Sequence, residues 1–73
     1  MTKNTAYQRE YAAFLIKLRQ ARKEAGLTQQ DVTKRIGRAR TFISKVELGE
    51  RRIDVIETKH LMRLYGKDLT YFD

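Results

Sequence analysis

The apolar residues of this chain recur at intervals of three and four, which is the spacing of one face of an α-helix. In the first third of the chain they form the series Tyr7, Tyr11, Phe14, Leu18, Ala21 and Ala25. Gly26 follows directly, and a glycine in the left-handed conformation commonly ends a helix. Strand-like alternation is scarce, and proline is absent from the sequence. The pattern predicts an all-α fold that begins with one long helix.

Capping residues mark the start of a second helix. Thr28 and Asp31 have the spacing of a capping box, in which the first residue and the third helical residue cap each other. This helix is predicted over about residues 28–36, because Gly37 interrupts it after two turns. A third helix follows almost at once and is predicted to end near residues 48–49. Its apolar positions are Ala39, Phe42, Ile43 and Val46.

A second capping box, formed by Asp54 and Glu57, opens a fourth helix that Gly66 closes. The buried members predicted for this helix are Val55, Ile56, Leu61, Leu64 and Tyr65. Asp68 is expected to cap one final turn that carries Leu69, Tyr71 and Phe72. The sequence contains no low-complexity linker and no solenoid-length repeat. We therefore expect residues 1–73 to form a single compact domain of four to five helices.

The charge of the chain is unevenly distributed. Lysine and arginine outnumber aspartate and glutamate by 16 to 9, which gives a net charge of +7. Residues 34–52 carry seven basic and two acidic side chains, so five of the seven net units lie in this stretch. Such a concentration indicates a polyanionic partner, and the alternative is a solvated helix face.

Composition limits the chemistry that the chain can carry. It has no cysteine and one histidine, His60, so we expect neither a metal site nor a cofactor. A chain of 73 residues can bury a modest core but no deep catalytic cleft, which argues against an enzyme. The longest apolar run, residues 11–16, is too short to span a membrane, and no apolar stretch near Met1 is typical of a secretion signal. We expect a cytoplasmic protein without a membrane partner.

Residues 28–48 contain the pattern that indicates a function. Two short helices joined by a glycine turn are typical of the helix-turn-helix unit, whose second helix lies in the major groove of DNA. The predicted contacts between the two helices join Val32 and Ile36 to Ile43 and Val46. The outward face of the second helix would then present donors and small polar groups that suit base edges and phosphates: Arg40, Thr41, Ser44 and Lys45.

Two segments, Gly26-Leu27-Thr28-Gln29 and Ile43-Ser44-Lys45-Val46-Glu47-Leu48-Gly49-Glu50-Arg51-Arg52, resemble the Cro/C1-type (xenobiotic response element family) helix-turn-helix repressors. The resemblance covers roughly residues 11–72 and implies a lambda-repressor-like DNA-binding domain. It implies that Gln29 binds a phosphate and braces the recognition helix. The base-reading positions that it implies are Arg40, Thr41 and Lys45, with Ser44 and Phe42 as further candidates. It also implies a structural ion pair between Arg22 and Glu47.

The sequence departs from the family pattern at several positions. Ala39 occupies the usual N-cap position, so the recognition helix is expected to lack a side-chain cap, which costs about 1 kcal/mol. Arg38 replaces an apolar turn residue and is a candidate for a phosphate contact. Thr33 replaces a small alanine, and its hydroxyl is expected to bond to a carbonyl of its own helix. Ile53 replaces a frequent proline.

Three further sets of residues leave alternatives open. Arg51 and Arg52 either contact phosphate or form a solvated loop. Phe42 either joins the core or meets a thymine methyl. The terminal cluster Leu69, Tyr71 and Phe72 either contacts a second copy of the chain or packs back onto Tyr65 and Tyr11. We favour the second copy, because a dimer can bind two half-sites about 34 Å apart.

These observations predict a sequence-specific regulator that binds double-stranded DNA as a homodimer on a pseudo-palindromic operator. A repressor or autoregulator of phage, mobile-element or restriction-modification type fits best, with no small-molecule effector. The alternative is a DNA-binding antitoxin whose main partner is a toxin protein. A membrane-surface or RNA-binding module is disfavoured, because the sequence lacks stacking aromatics on a sheet and a strongly apolar exposed face.

Overall fold

A computed structural model describes residues 5–73 of the chain. The helices are α1 (Ala6–Glu24), α2 (Gln29–Ile36), α3 (Phe42–Glu47) and α4 (Val55–Tyr65), and a 3₁₀ helix covers Leu69–Phe72. Residues 5–73 contain no strand, so the predicted all-α fold is confirmed. Residues 1–4 of the predicted domain lie outside the described residues. No helix in the described part of the chain is both long and apolar enough to cross a lipid bilayer.

Reciprocal capping boxes start three of the helices. Both predicted boxes are present: Asp31 N donates to Thr28 Oγ1 at 3.0 Å, and Glu57 N donates to Asp54 Oδ1 at 2.7 Å. A third box at the start of α1 was missed by the sequence analysis, and in it Gln8 N donates to Thr5 Oγ1 at 3.1 Å. Its signal is a threonine followed three residues later by a glutamine.

The turn between α2 and α3 begins at Gly37, which ends α2 as predicted and has a left-handed φ of 69°. Beyond it, the predicted start of the third helix is wrong. The helix begins at Phe42 with Thr41 as its N-cap, so Ala39 lies in the turn and contributes only a carbonyl that accepts from Phe42 N at 2.9 Å. The physical reason is that Arg38 N still bonds back to Thr33 O of α2 at 3.2 Å. The expected lack of a side-chain cap is confirmed, at Thr41.

The core joins all four helices and fixes α2 against α3. Its buried apolar members are Leu18, Ala21, Val32, Phe42, Ile43, Val46, Leu61, Met62 and Tyr65, and Ile36 packs against them. The predicted contact of the two helix-turn-helix helices is therefore confirmed. The Thr33 hydroxyl donates to Gln29 O at 3.0 Å, as expected for a buried threonine within a helix. This packing leaves the opposite side of α3 facing solvent.

Candidate nucleic-acid interface

The outward face of α3 and of the turn before it is polar and accessible. Arg40, Thr41 and Lys45 are exposed, and Ser44 is half-buried. Within residues 5–73, the side chains of Arg40 and Lys45 make no hydrogen bond or ion pair, so their donors face outward. Ser44 Oγ instead donates to Thr41 O at 3.3 Å. All four candidate base-reading residues are therefore at least partly accessible to solvent, and the two cationic side chains among them are unengaged.

Phe42 lies on the opposite, buried side of α3. It is only 5% exposed and belongs to the core, so the interpretation that it meets a thymine methyl is wrong. The helix begins at this residue, which turns the ring inward beside Ile43. Two guanidinium carbons lie near the ring centroid, that of Arg38 at 5.0 Å and that of Arg51 at 4.7 Å. Phe42 therefore anchors α3, and its ring makes cation–π contacts with the two guanidinium groups that lie over it.

A buried polar network connects α3 to both preceding helices. Arg22 Nε donates to Glu47 Oε2 at 2.7 Å, and Arg22 Nη2 donates to Glu47 Oε1 at 3.2 Å. Gln29 Nε2 donates to the same Oε1 at 2.9 Å. Gln29, which the resemblance implied as a phosphate contact, thus has one amide proton committed to the recognition helix. The network fixes the end of α3 relative to α1 and α2.

Arg38 and Arg51 meet at a buried glutamate of α4. Arg51 spans the carboxylate of Glu57, with Nη1 at 2.9 Å from Oε1 and Nη2 at 2.8 Å from Oε2. Arg38 Nη2 forms an ion pair with Glu57 Oε2. From the sequence, Glu57 is predicted to have only a capping role, because nothing local in the sequence shows that arginines from two other segments reach it. The two candidate phosphate contacts therefore share one anionic partner.

The Arg52 side chain contacts α1 and does not join Arg38 and Arg51 at Glu57. Its Nη1 donates to Tyr7 Oη at 3.0 Å, and its Cζ lies 4.5 Å from the centroid of the Tyr11 ring. The side chain is exposed. The basic loop after α3 thus divides its two arginines between two sides of the domain.

Two groups near the network have shifted pKa values. Burial raises the pKa of the Tyr65 hydroxyl, and the negative charge of Glu47 raises it further. Hydrogen bonds with the Thr28 backbone and side chain hold the pKa of Asp31 below its usual value. Asp31 therefore stays ionised at the start of α2, where a negative charge is favoured. No group of three or more His, Asp or Glu side chains among residues 5–73 has the arrangement of a metal site, and His60 is exposed.

Comparison with known proteins agrees with this geometry. A family model described as a helix-turn-helix domain matches residues 13–70, which is most of the chain. The chain belongs to the helix-turn-helix domain family. This confirms the resemblance noted from the sequence at the level of helix-turn-helix DNA-binding proteins. No curated protein and no solved structure gave a significant match.

In this helix-turn-helix domain, α2 is the scaffold helix and α3 the recognition helix. The C-terminal cluster packs on α1, and two of its three residues contact their own chain. The Phe72 ring packs on Phe14 of α1 at 4.8 Å and on Tyr71 at 5.2 Å, and Lys17 Nζ donates to Tyr71 O at 3.2 Å. These two aromatic residues therefore pack within their own chain, against the core that includes Tyr65, and the Phe72 ring also contacts Phe14. Leu69 alone stays largely exposed, at 65%.

Proposed function

We propose that this helix-turn-helix protein is a sequence-specific regulator that reads double-stranded DNA through α3. The observation that carries the proposal is the division of α3 into two sides. One side is held in the core by Ile43 and Val46, and the other presents Lys45. Lys45 and Arg40, which lies in the turn before α3, have no intramolecular partners among residues 5–73. A rigid helix with outward donors is what direct readout in the major groove requires.

Base contacts are assigned to Arg40, Thr41 and Lys45, with Ser44 at the edge of the same surface. Phosphate contacts are assigned to Arg38 and Arg51 beside the start of α3, to Arg52, and to the free amide proton of Gln29. Phosphate contacts position a protein on DNA without reading its sequence. The concentration of net charge in residues 34–52 supports this division, because most of that charge surrounds α3.

The proposal includes a homodimer that binds two half-sites of a pseudo-palindromic operator in the cytoplasm. Leu69 and Val55, which are 65% and 70% exposed, line one apolar depression beside Met62. A second copy of the chain would cover these side chains and double the DNA contacts. Protein concentration would then control binding, as expected for a repressor or autoregulator that needs no small-molecule effector.

Selection of bound sequences from a random double-stranded DNA pool, with the stoichiometry of the complex measured, tests this function. We expect enrichment of a sequence with two related halves, bound by two chains. A bound pool without any enriched sequence would rule out sequence-specific regulation. One chain on a single half-site would retain the base reading and rule out the dimer.

A further inference from the structure

We propose that Glu57 is a positioning residue for DNA binding, which holds Arg38 and Arg51 together so that both guanidinium groups bind one phosphate of the DNA backbone. This inference rests on the proposed function. The inference goes beyond that function because it assigns a role in DNA binding to an acidic residue, whose charge alone would oppose binding.

The Glu57 carboxylate is held from several directions. The side chain is 8% exposed, and its Oε1 accepts both from Asp54 N at 3.1 Å and from Arg51 Nη1 at 2.9 Å. Its Oε2 accepts from Arg51 Nη2 at 2.8 Å and pairs with Arg38. The backbone contact is part of the capping box of α4, so the helix itself fixes where the carboxylate lies. The anchor for the two arginines is therefore rigid.

The two arginines remain available on their outer side. Their side chains are 42% exposed at Arg38 and 39% exposed at Arg51. Arg51 uses three N–H donors on Glu57 and on the Arg52 carbonyl, which leaves two of the five N–H donors of a guanidinium. One carboxylate between two guanidinium groups also leaves one net positive charge. The pair therefore keeps both the donors and the charge that a phosphate needs.

The location of this pair fits a DNA phosphate. Arg38 and Arg51 lie against the Phe42 ring and line a shallow depression together with Thr41 and Lys45. Thr41 and Lys45 are two of the residues to which base contacts are assigned. A phosphate bound in the depression would thus lie beside the bases that α3 reads, and would fix the helix in the groove.

Two possible roles of Glu57, positioning the arginines or only repelling DNA, predict opposite effects on DNA affinity when its charge is removed. If Glu57 only repels DNA, then neutralising it must strengthen binding, because the protein gains one positive charge. If Glu57 positions the arginines, then neutralising it must weaken binding despite that gain. Without Glu57, the two arginines are not held together before they bind DNA. Binding must then restrict their side-chain freedom, and that entropy cost lowers the affinity.

The test measures the affinity of the full chain for its selected operator, with Glu57→Gln as the variant and Glu50→Gln as the matched control. Glutamine keeps an acceptor for the capping box, and thermal unfolding checks the fold. Glu50 is exposed and has no side-chain partner among residues 5–73. We expect about a tenfold loss of affinity in Glu57→Gln, the loss typical of a charge-assisted hydrogen bond, and unchanged or tighter binding in Glu50→Gln. Binding of Glu57→Gln at or above the wild-type affinity would overturn the inference.

Two further variants separate positioning from a general structural effect. Arg51→Lys keeps the charge but cannot span both carboxylate oxygens, so we expect it to weaken binding as well. In a chain that already carries Arg38→Ala and Arg51→Ala, the additional change Glu57→Gln should no longer weaken binding. An equal loss in that background would overturn the inference while leaving the proposed function intact. A wild-type chain that binds no DNA would overturn both.

Discussion

The guanidinium of Arg22 and the carboxylate of Glu47 meet in a two-pronged ion pair whose side chains are only 8% and 4% exposed. Arg22 lies in α1, and Glu47 is the last residue of α3. Arg22 Nη1 also donates to Leu27 O at 2.8 Å, in the loop before α2. Arg22 thus connects α1, the loop before α2 and the end of α3, and it fixes the buried side of the recognition helix.

Loss of either partner should destabilise the fold strongly, because the remaining charge would be buried without compensation. We expect Glu47→Ala or Arg22→Ala to lower the free energy of unfolding by about 3–5 kcal/mol, measured by urea denaturation. The double variant Arg22→Met with Glu47→Leu is the control and should cost markedly less, because it buries no charge. A cost below about 1 kcal/mol for both single variants would contradict the structural role of this pair.

Substitution of Tyr65 should stabilise the fold, in contrast to substitution of Arg22 or Glu47. Its side chain is 5% exposed, and within residues 5–73 its buried hydroxyl has no hydrogen-bond partner. We expect Tyr65→Phe to raise the free energy of unfolding by about 1 kcal/mol at neutral pH, because it removes an unsatisfied polar group.

The same hydroxyl should make the protein sensitive to alkali. Burial raises the pKa of Tyr65 above its usual 10.0, so the folded protein keeps the hydroxyl proton where the unfolded chain loses it, and stability is unaffected below pH 10.0 and falls as the pH rises further. Thermal unfolding followed upward from pH 9 should show this loss in the wild type and a smaller loss in Tyr65→Phe. Tyr7→Phe is the control, because Tyr7 is 61% exposed. An identical alkaline profile for all three proteins would contradict the assignment.

The helix boundaries that residue spacing predicted correctly depend on local features. The boxes at Thr28 and Asp54 and the glycine at position 37 depend on residues within one turn, so spacing alone indicates them. The start of α3 was misplaced because it depends on a hydrogen bond from Arg38 N back to α2. The role of Glu57 was missed for a related reason: its arginine partners come from distant segments, and only the packed fold brings them together.

The turn of the helix-turn-helix unit should depend on backbone conformation at Gly37. Its φ is 69°, and a Cβ added there would meet no atom within 4 Å, so conformational strain is the only expected cost of a side chain. We expect Gly37→Ala to lower the free energy of unfolding by about 1–2 kcal/mol, the cost of left-handed backbone for an ordinary residue. Gly37→Asn should cost less, because asparagine tolerates this conformation better. Equal unfolding midpoints for the wild type and both variants in urea would contradict this explanation.

Affinities for operator DNA and for random DNA should distinguish residues that contact bases from residues that contact phosphates. We expect Arg40→Ala to weaken operator binding by about 1–3 kcal/mol with little effect on random DNA, because a base contact carries sequence information. Arg51→Ala should weaken both and reduce the slope of log affinity against log salt concentration by about one unit. Affinities measured at several salt concentrations distinguish the two, with the exposed α1 residue Arg19 changed to alanine as a charge-matched control. An equal loss on every sequence for Arg40→Ala would contradict base reading.

Dimerisation should depend on the one member of the C-terminal cluster that its own chain leaves uncovered. Leu69 is 65% exposed, whereas Phe72 packs on Phe14, so a charge at position 69 should disturb a second copy and not the fold. We expect Leu69→Asp to shift the protein toward monomer in sedimentation equilibrium, with an unchanged unfolding transition of the monomer. Ile16→Asp is the matched control, because Ile16 is 68% exposed on α1 and lies outside the depression that Leu69 and Val55 share. If Ile16→Asp dissociates the dimer and Leu69→Asp does not, the subunit contact lies on α1, and the two recognition helices must be related by a different two-fold axis.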